Sequence, residues 1–212
     1  MTAVRPYRQT DEEAIRRICC DTALYGKPID PLLSDRQLVA DSLVSYYTLL
    51  EPESTFVAEE NGRVVGYING CLDTHRYERL FSRQIAPKLA RRVVVGGHWC
   101  RWKFWRLVFL FWQSESRWAK ARQSAASAYP AHCHMNLDAG FRQTGTGSAL
   151  FKTFLARLNT HQIPGIHIVT ATEGGKGFFA KMGFRPLLKY PSPSLPGISS
   201  REVWVMGLKI QS

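Results

Sequence analysis

Residues 131–158 restrict the fold more than any other stretch of the chain. Ala131 to Asp138 alternates His132, His134, Asn136 and Asp138 with Cys133, Met135 and Leu137, and this period of two predicts a half-buried strand with one polar and one apolar face. Arg142-Gln143-Thr144-Gly145-Thr146-Gly147-Ser148 follows, and beyond it Leu150, Phe154, Leu155 and Leu158 share one helical stripe. Strand, glycine-rich turn, then helix is the central organisation of the chain.

Other elements surround this unit. Val4 to Tyr7 reads as a short strand, and Thr10 with Glu13 forms a capping box that starts a helix with Ala14, Ile15, Ile18 and Cys19 inward. Leu38, Val39, Leu43, Tyr46 and Leu50 predict a second helix from Ser34 to about Leu50. Thr55 to Glu60 and Val64 to Leu72 are β-rich runs joined by Asn61-Gly62, a dipeptide that tolerates the positive φ angles of a type I′ hairpin turn. Ile166 to Ala171 predicts another strand, Gly177 to Met182 a short helix stopped by Gly183, and Glu202 to Ile210 a closing strand after a Pro/Ser loop. Strands interspersed with helices over 212 residues indicate one α/β (α+β) domain, 1–212, with a full-sized core.

Charge and cysteine content narrow the chemistry. The net charge is +11, but residues 76–122 hold 12 Lys or Arg against only Glu78 and Glu115, so the remainder is nearly neutral. A local basic element facing an acidic ligand or surface is expected, rather than a general nucleic-acid binder. Five cysteines without CxxC spacing point to reduced thiols and no metal site, and residues 1–10 lack the apolar core of a secretory signal. The expected location is cytoplasmic.

The turn at 142–148 places unpaired backbone N–H groups at a helix N-terminus, where they and the helix dipole bind an anion such as a pyrophosphate. A Cβ at Gly145 or Gly147 would hinder close approach of a phosphate to the backbone. The same residues also suit a plain tight strand–helix connection. Two nucleotide motifs do not fit: no lysine stands between Gly147 and Ser148 as a P-loop needs, and Leu150 occupies the third glycine position of a Rossmann fingerprint.

Arg142, Gly145 and Gly147 match the R/Q-x-x-G-x-G/A pyrophosphate motif of the GNAT (GCN5-related) N-acetyltransferase superfamily. The run Phe178-Phe179-Ala180-Lys181-Met182-Gly183-Phe184 resembles that family's second signature, and the hairpin Phe56 to Tyr67 agrees in order and spacing. The resemblance extends from Val4 to Ile210 apart from the basic segment. It implies a mixed, mostly antiparallel central sheet splayed between two parallel strands, here 131–138 and 166–171, flanked by helices, with acetyl-CoA in the gap. By position, Leu137, Asp138 and Ala139 would meet the acetyl-pantetheine arm, Gln143, Thr144, Gly145, Thr146, Gly147 and Ser148 the pyrophosphate, with Arg142 flanking the phosphates and Phe178 beside the cofactor. The implied activity is acetyl transfer from acetyl-CoA to a primary amine of a small molecule or peptide.

For that reaction a backbone N–H near Leu137 would polarise the thioester carbonyl. Phe179 stands where many relatives carry a proton-donating tyrosine, Thr172 replaces a frequent asparagine and Gly175 a frequent alanine. Water or Tyr190 is then left to protonate the thiolate. His134 is the candidate base by its ordinary pKa, Asp138 lies closer to the thioester end, and His132 and His167 rank below them.

The long segment Arg76 to Arg122 is an elaboration with helical structure of its own. Trp99, Trp102, Trp105, Phe109 and Trp112 fall on one side of an amphipathic helix, while the charge-free run Leu107 to Ser114 is too short for the ~20 residues that span a bilayer. The helix is expected either to cover the acceptor side of the sheet or to meet an anionic membrane or acidic partner. This insertion, between Gly70–Thr74 and Pro130–His134, is similar to that of the acetyltransferase-like domain associated with O-GlcNAc hydrolases and its bacterial relatives. An acyl-CoA-binding module without turnover and a peripheral membrane protein are the alternative readings.

Overall fold

A computed structural model describes residues 2–97, 100, 104–105, 125–192 and 201–210. Among the described residues, seven strands form one sheet: β1 (Ala3–Pro6), β2 (Thr55–Glu60), β3 (Arg63–Cys71), β4 (Ala131–Leu137), β5 (Gly165–Thr170), β6 (Arg185–Pro191) and β7 (Glu202–Lys209). Their order is β1-β2-β3-β4-β5-β7-β6, and among these described strands only the central β4–β5 pair is parallel. Helices α1 (Glu12–Thr22) and α2 (Arg36–Leu50) cover one face. On the same side α3 (Thr74–Leu80) runs through a single π-turn into α4 (Ala86–Val95). Helix α5 (Thr146–Thr160) lies on the opposite face, and α6 (Glu173–Lys181) links β5 to β6.

The two faces follow from strand alternation. Leu150, Phe151, Phe154 and Leu158 of α5 pack on Ile68, Ala131, Ile166, Ile168, Trp204 and Met206, with Cys133, Met135 and Leu137 at the margin. Gly70 permits this contact, because a Cβ there would stand 2.0 Å from the Phe154 ring. Ile15, Ile18 and Cys19 of α1 pack on Val57, Val64 and Tyr67. The polar side of β4 therefore faces the α1–α2 layer instead of open water, a consequence of having helices on both faces.

Local details depart from the sequence pattern where a side chain outside the pattern orders the helix start. Thr10 does not cap α1. Asp11 accepts the Arg8 N–H at 2.8 Å and is gripped by Arg5 at 2.7 and 2.8 Å, so the helix begins at Glu12. α2 starts at Arg36 because Asp35 accepts the Leu38 N–H at 2.9 Å. Leu43 is exposed, and Val44 and Tyr47 are buried in its stead. The Asn61-Gly62 turn adopts φ of 51° and 74°, as the hairpin requires.

The helix expected from Gly177 begins four residues earlier, at Glu173, where Thr172 caps it by accepting the Gly175 N–H at 3.1 Å. Gly175 is tied to that cap: a Cβ would lie 2.3 Å from Thr170 Oγ1 and 2.9 Å from Thr172 Oγ1. The threonine and the glycine, each unusual by itself, are thus one local solution. Strand β6 escaped the pattern because Pro186 and Pro191 interrupt it, which an edge strand tolerates.

Of the insertion, residues 76–97, 100 and 104–105 lie within the described residues. Tyr77, Leu80, Phe81, Ile85 and Leu89 pack against Tyr46 and Tyr47 of α2, while Val94 and Val95 are exposed. Of the expected Trp99–Trp112 helix, Trp99, Trp102, Phe109 and Trp112 lie outside the described residues, and Trp105 is half-exposed. No helix among the described residues is long and apolar enough to cross a membrane.

Candidate active site

β4 and β5 pair only at Ala131–Ile166 and His132–His167, after which the parallel strands part. The β3–β4 ladder continues to Gly66–Leu137, and Asp138 N–H donates to Val65 O at 2.8 Å. Antiparallel bonding alternates along a strand, so the even-numbered residues of β4 bond to β3. The C=O of Cys133 and the N–H and C=O groups of Met135 and Leu137 then point sideways into the wedge between β4 and β5. This is a buried strand edge with donors and acceptors available to an extended ligand.

The wedge opens toward the glycine-rich turn. Ala139–Phe141 forms a single 3-10 turn, Gln143 takes φ 64° and Gly145 takes φ 90° at the N-cap of α5. Among the described residues, Arg142 N–H donates to Ala139 O at 3.3 Å, and the next backbone N–H to find a backbone acceptor is that of Ala149, bonded to Gly145 O at 3.0 Å. The amides of residues 143–148 are consequently free to meet an anion at the positive end of a 15-residue helix. Thr144 Oγ1 donates to Phe141 O at 2.8 Å and sits 2.9 Å from Thr146 Oγ1, which stiffens the turn.

The two glycines have different duties. A Cβ at Gly145 would meet nothing within 4 Å, so its role is the left-handed φ. At Gly147 a Cβ would lie 3.3 Å from Leu137, 3.4 Å from Phe178 and 3.6 Å from Met135, so this glycine lets α5 approach β4 and α6. Ser148 follows in the first turn of α5. Arg142 leaves the turn and donates to Gly26 O at 3.2 Å, linking it to the α1–α2 loop.

The structure brings Leu137, Asp138, Ala139, Arg142 to Ser148 and Phe178 to one end of the wedge. Asp138 is held by Arg17 through two bonds of 3.1 Å and by Arg63 at 3.1 Å. Its carboxylate is thereby engaged as an ion-pair partner that ties α1 and the hairpin to the end of β4. Tyr190 stands apart: it lies on β6, separated from β4 by β5 and β7, and packs with Ala125 and Val205. Phe179 is enclosed by Phe151, Phe178 and Phe184, with ring centroids 5.0–6.2 Å away, and has no hydrogen to give.

On the α1–α2 side of β4 the polar residues form a chain. His132 sits between Tyr47 OH (2.9 Å from Nε2) and Thr74 Oγ1 (2.8 Å from Nδ1), and Thr74 donates to Pro130 O at 2.7 Å. His167 Nδ1 is 2.7 Å from Tyr129 O. Asn136 donates to Tyr67 OH at 2.9 Å and approaches His134 Nε2 at 3.4 Å. His134 Nδ1 is enclosed without a hydrogen-bond partner among the described residues, and burial pushes the imidazole pKa down to about 4. His134 is therefore neutral at pH 7 and a weak base. Asn69, Tyr67, Tyr47 and Thr74 were not signalled by any motif, though a lone Asn inside the apolar β3 run was a visible irregularity.

Among the described residues no three His, Cys, Asp or Glu side chains are grouped to hold a metal ion. The five cysteines are free; burial pushes the Cys19 and Cys133 thiols up to about 12.

No protein-family model matches the chain. Solved structures do. The crystal structure of SsHAT is 27% identical, with 98% of each chain covered and a TM-score of 0.71. The polyamine N-acetyltransferase of Drosophila melanogaster, which forms N-acetylagmatine, is 13% identical over 99% of this chain and 100% of its own, with a TM-score of 0.62. The yncA protein of Salmonella typhimurium, solved with its cofactor acetyl-CoA, is 12% identical over 99% and 94%, with a TM-score of 0.58. The mixed sheet with its single parallel pair and flanking helices is the GNAT fold.

Proposed function

We propose that the chain is an acetyl-CoA-dependent N-acetyltransferase that acetylates a primary amine of a small molecule or peptide. The observation that carries this reading is the wedge between β4 and β5, whose free strand edge leads to the unpaired amides of residues 143–148. The acetyltransferase names of the structural neighbours and the bound acetyl-CoA of one of them favour it. The proposal includes a finer affiliation, to the acetyltransferase-like domain associated with O-GlcNAc hydrolases, which the 76–122 insertion resembles.

When bound, acetyl-CoA supplies an acyl group activated as a thioester. We assign the amides of Gln143 to Ser148 to the pyrophosphate, the backbone edge of Met135 to Ala139 to the pantetheine arm, and the Leu137 N–H to the thioester oxygen. Arg142, exposed beside the turn, adds a positive charge for the phosphates. The departing thiolate has an ordinary pKa of ~8.5, so water can protonate it where Phe179 cannot. A cytoplasmic protein whose basic insertion meets an acidic partner or anionic surface completes the proposal.

Calorimetry with acetyl-CoA, followed by thiol release over a panel of primary amines, tests it. Binding that weakens at least tenfold in Gly145→Val, together with release on some amine, is the expected result. Binding without release on any amine would favour the acyl-CoA-binding module, for which the enclosed Phe179 is the supporting observation. Absence of binding would sink both.

A further inference from the structure

Asn69 is fully buried, and neither its Nδ2 nor its Oδ1 has a hydrogen-bond partner among the described residues. Directly across the β3–β4 ladder stands His134, whose Nδ1 is also enclosed and unpartnered. Opposed residues on one sheet face lie close enough for their side chains to serve one ligand. Three unpaired polar atoms from two adjacent strands are a poor way to build a core, since such groups are normally satisfied.

The remaining neighbours hold the pair in place. Tyr67, two residues along β3, receives the Asn136 amide at 2.9 Å and lies 6.0 Å from the His134 ring, edge to face. The pair sits on the opposite side of β4 from α5, beside the backbone of Met135, whose edge faces the wedge. Resting on the acetyltransferase reading above, we propose that Asn69 and His134 form the acceptor subsite, which receives the amine in its uncharged form. The preferred substrates are then weakly basic primary amines, such as an α-amino group, over strongly basic alkylamines of the lysine type.

The chemistry is balanced without a buried charge. The neutral amine forms the new C–N bond as the C–S bond breaks, and the proton lost from nitrogen leaves with the thiolate as the CoA thiol. Asn69 and His134 hydrogen-bond the amine and orient it. The enclosure that keeps the His134 ring neutral disfavours an ammonium ion in the same place.

The test uses the full chain loaded with acetyl-CoA and a series of primary amines of similar size, with pKa values from about 8 to about 10.4. At pH 7, KM should rise about tenfold per unit of amine pKa, roughly 200-fold across the series, because only the neutral fraction binds. Asn69→Ala and His134→Gln should each raise the amine KM at least tenfold, leaving kcat and the acetyl-CoA affinity within about threefold. As a readout independent of turnover, the Asn69 side-chain amide resonances should shift on adding amine to the loaded protein. A KM independent of amine pKa, an unmoved Asn69 signal, or variants that lose acetyl-CoA affinity and kcat together would overturn the inference. Loss of acetyl-CoA binding by the unmodified protein would instead overturn the reading beneath it.

Discussion

Acidification should destabilise the folded protein through His134, by an amount that its surroundings set. The imidazole lies on β4 against Tyr67 and Asn69 of β3, and desolvation lowers its pKa from 6.5 to about 4. In the unfolded chain it titrates near ~6.5, so between those values the unfolded state holds a proton that the native state lacks. Stability is fully present above the unfolded pKa, falls as pH drops below it, and stops falling below the folded pKa. The slope is at most ~1.4 kcal/mol per pH unit, and the whole loss is on the order of 3 kcal/mol. That is a large share of the ~5–15 kcal/mol by which domains are stable. Urea unfolding from about pH 7.5 to about pH 4, run in parallel on His134→Gln, isolates the effect, because carboxylates common to both proteins cancel in the difference. The difference curve should be flat above ~6.5 and change by about 3 kcal/mol below it. Parallel curves for the two proteins would refute the enclosure of His134.

Five further outcomes follow from packing and exposure. Gly70→Ala places a methyl 2.0–2.6 Å from the Phe154 ring and should lower stability by about 1–3 kcal/mol in urea unfolding. Gly140→Ala, with open space at its Cβ, should change stability by less than ~0.5 kcal/mol. Asp138→Asn removes the charge that holds Arg17 and Arg63; a loss of about 1–2 kcal/mol that shrinks in high salt is expected, given partial solvent screening. Thr172→Ala removes the α6 cap and should cost about 1 kcal/mol, read as a lower thermal midpoint. Under native conditions a thiol reagent should label exposed Cys100 first, whereas buried Cys19, Cys20 and Cys71 should react only on unfolding.

Much of the architecture was legible because it is written in short-range terms. The hairpin at Asn61-Gly62 depends on the positive φ tolerance of two adjacent residues, and the turn at 142–148 on glycines between a period-two run and a period-3.6 run. Elements governed by distant partners were not legible. Asp11 starts α1 because Arg5 and Arg8 converge on it, and β6 exists because β7 offers it a free edge despite Pro186 and Pro191.

The same division runs through the candidate site. Sequence alone determined the polar–apolar alternation of β4, the amide-rich turn, and a phenylalanine at position 179, where the family resemblance implies a proton-carrying tyrosine. Only the tertiary structure decided what each group is free to do. Asp138 is committed to Arg17 and Arg63, Tyr190 lies two intervening strands away from β4, and Asn69 faces His134 across the ladder. The physical reason is that a residue's type sets its chemistry, whereas its charge state and available bonds depend on neighbours that the chain brings from 69 to 121 positions away.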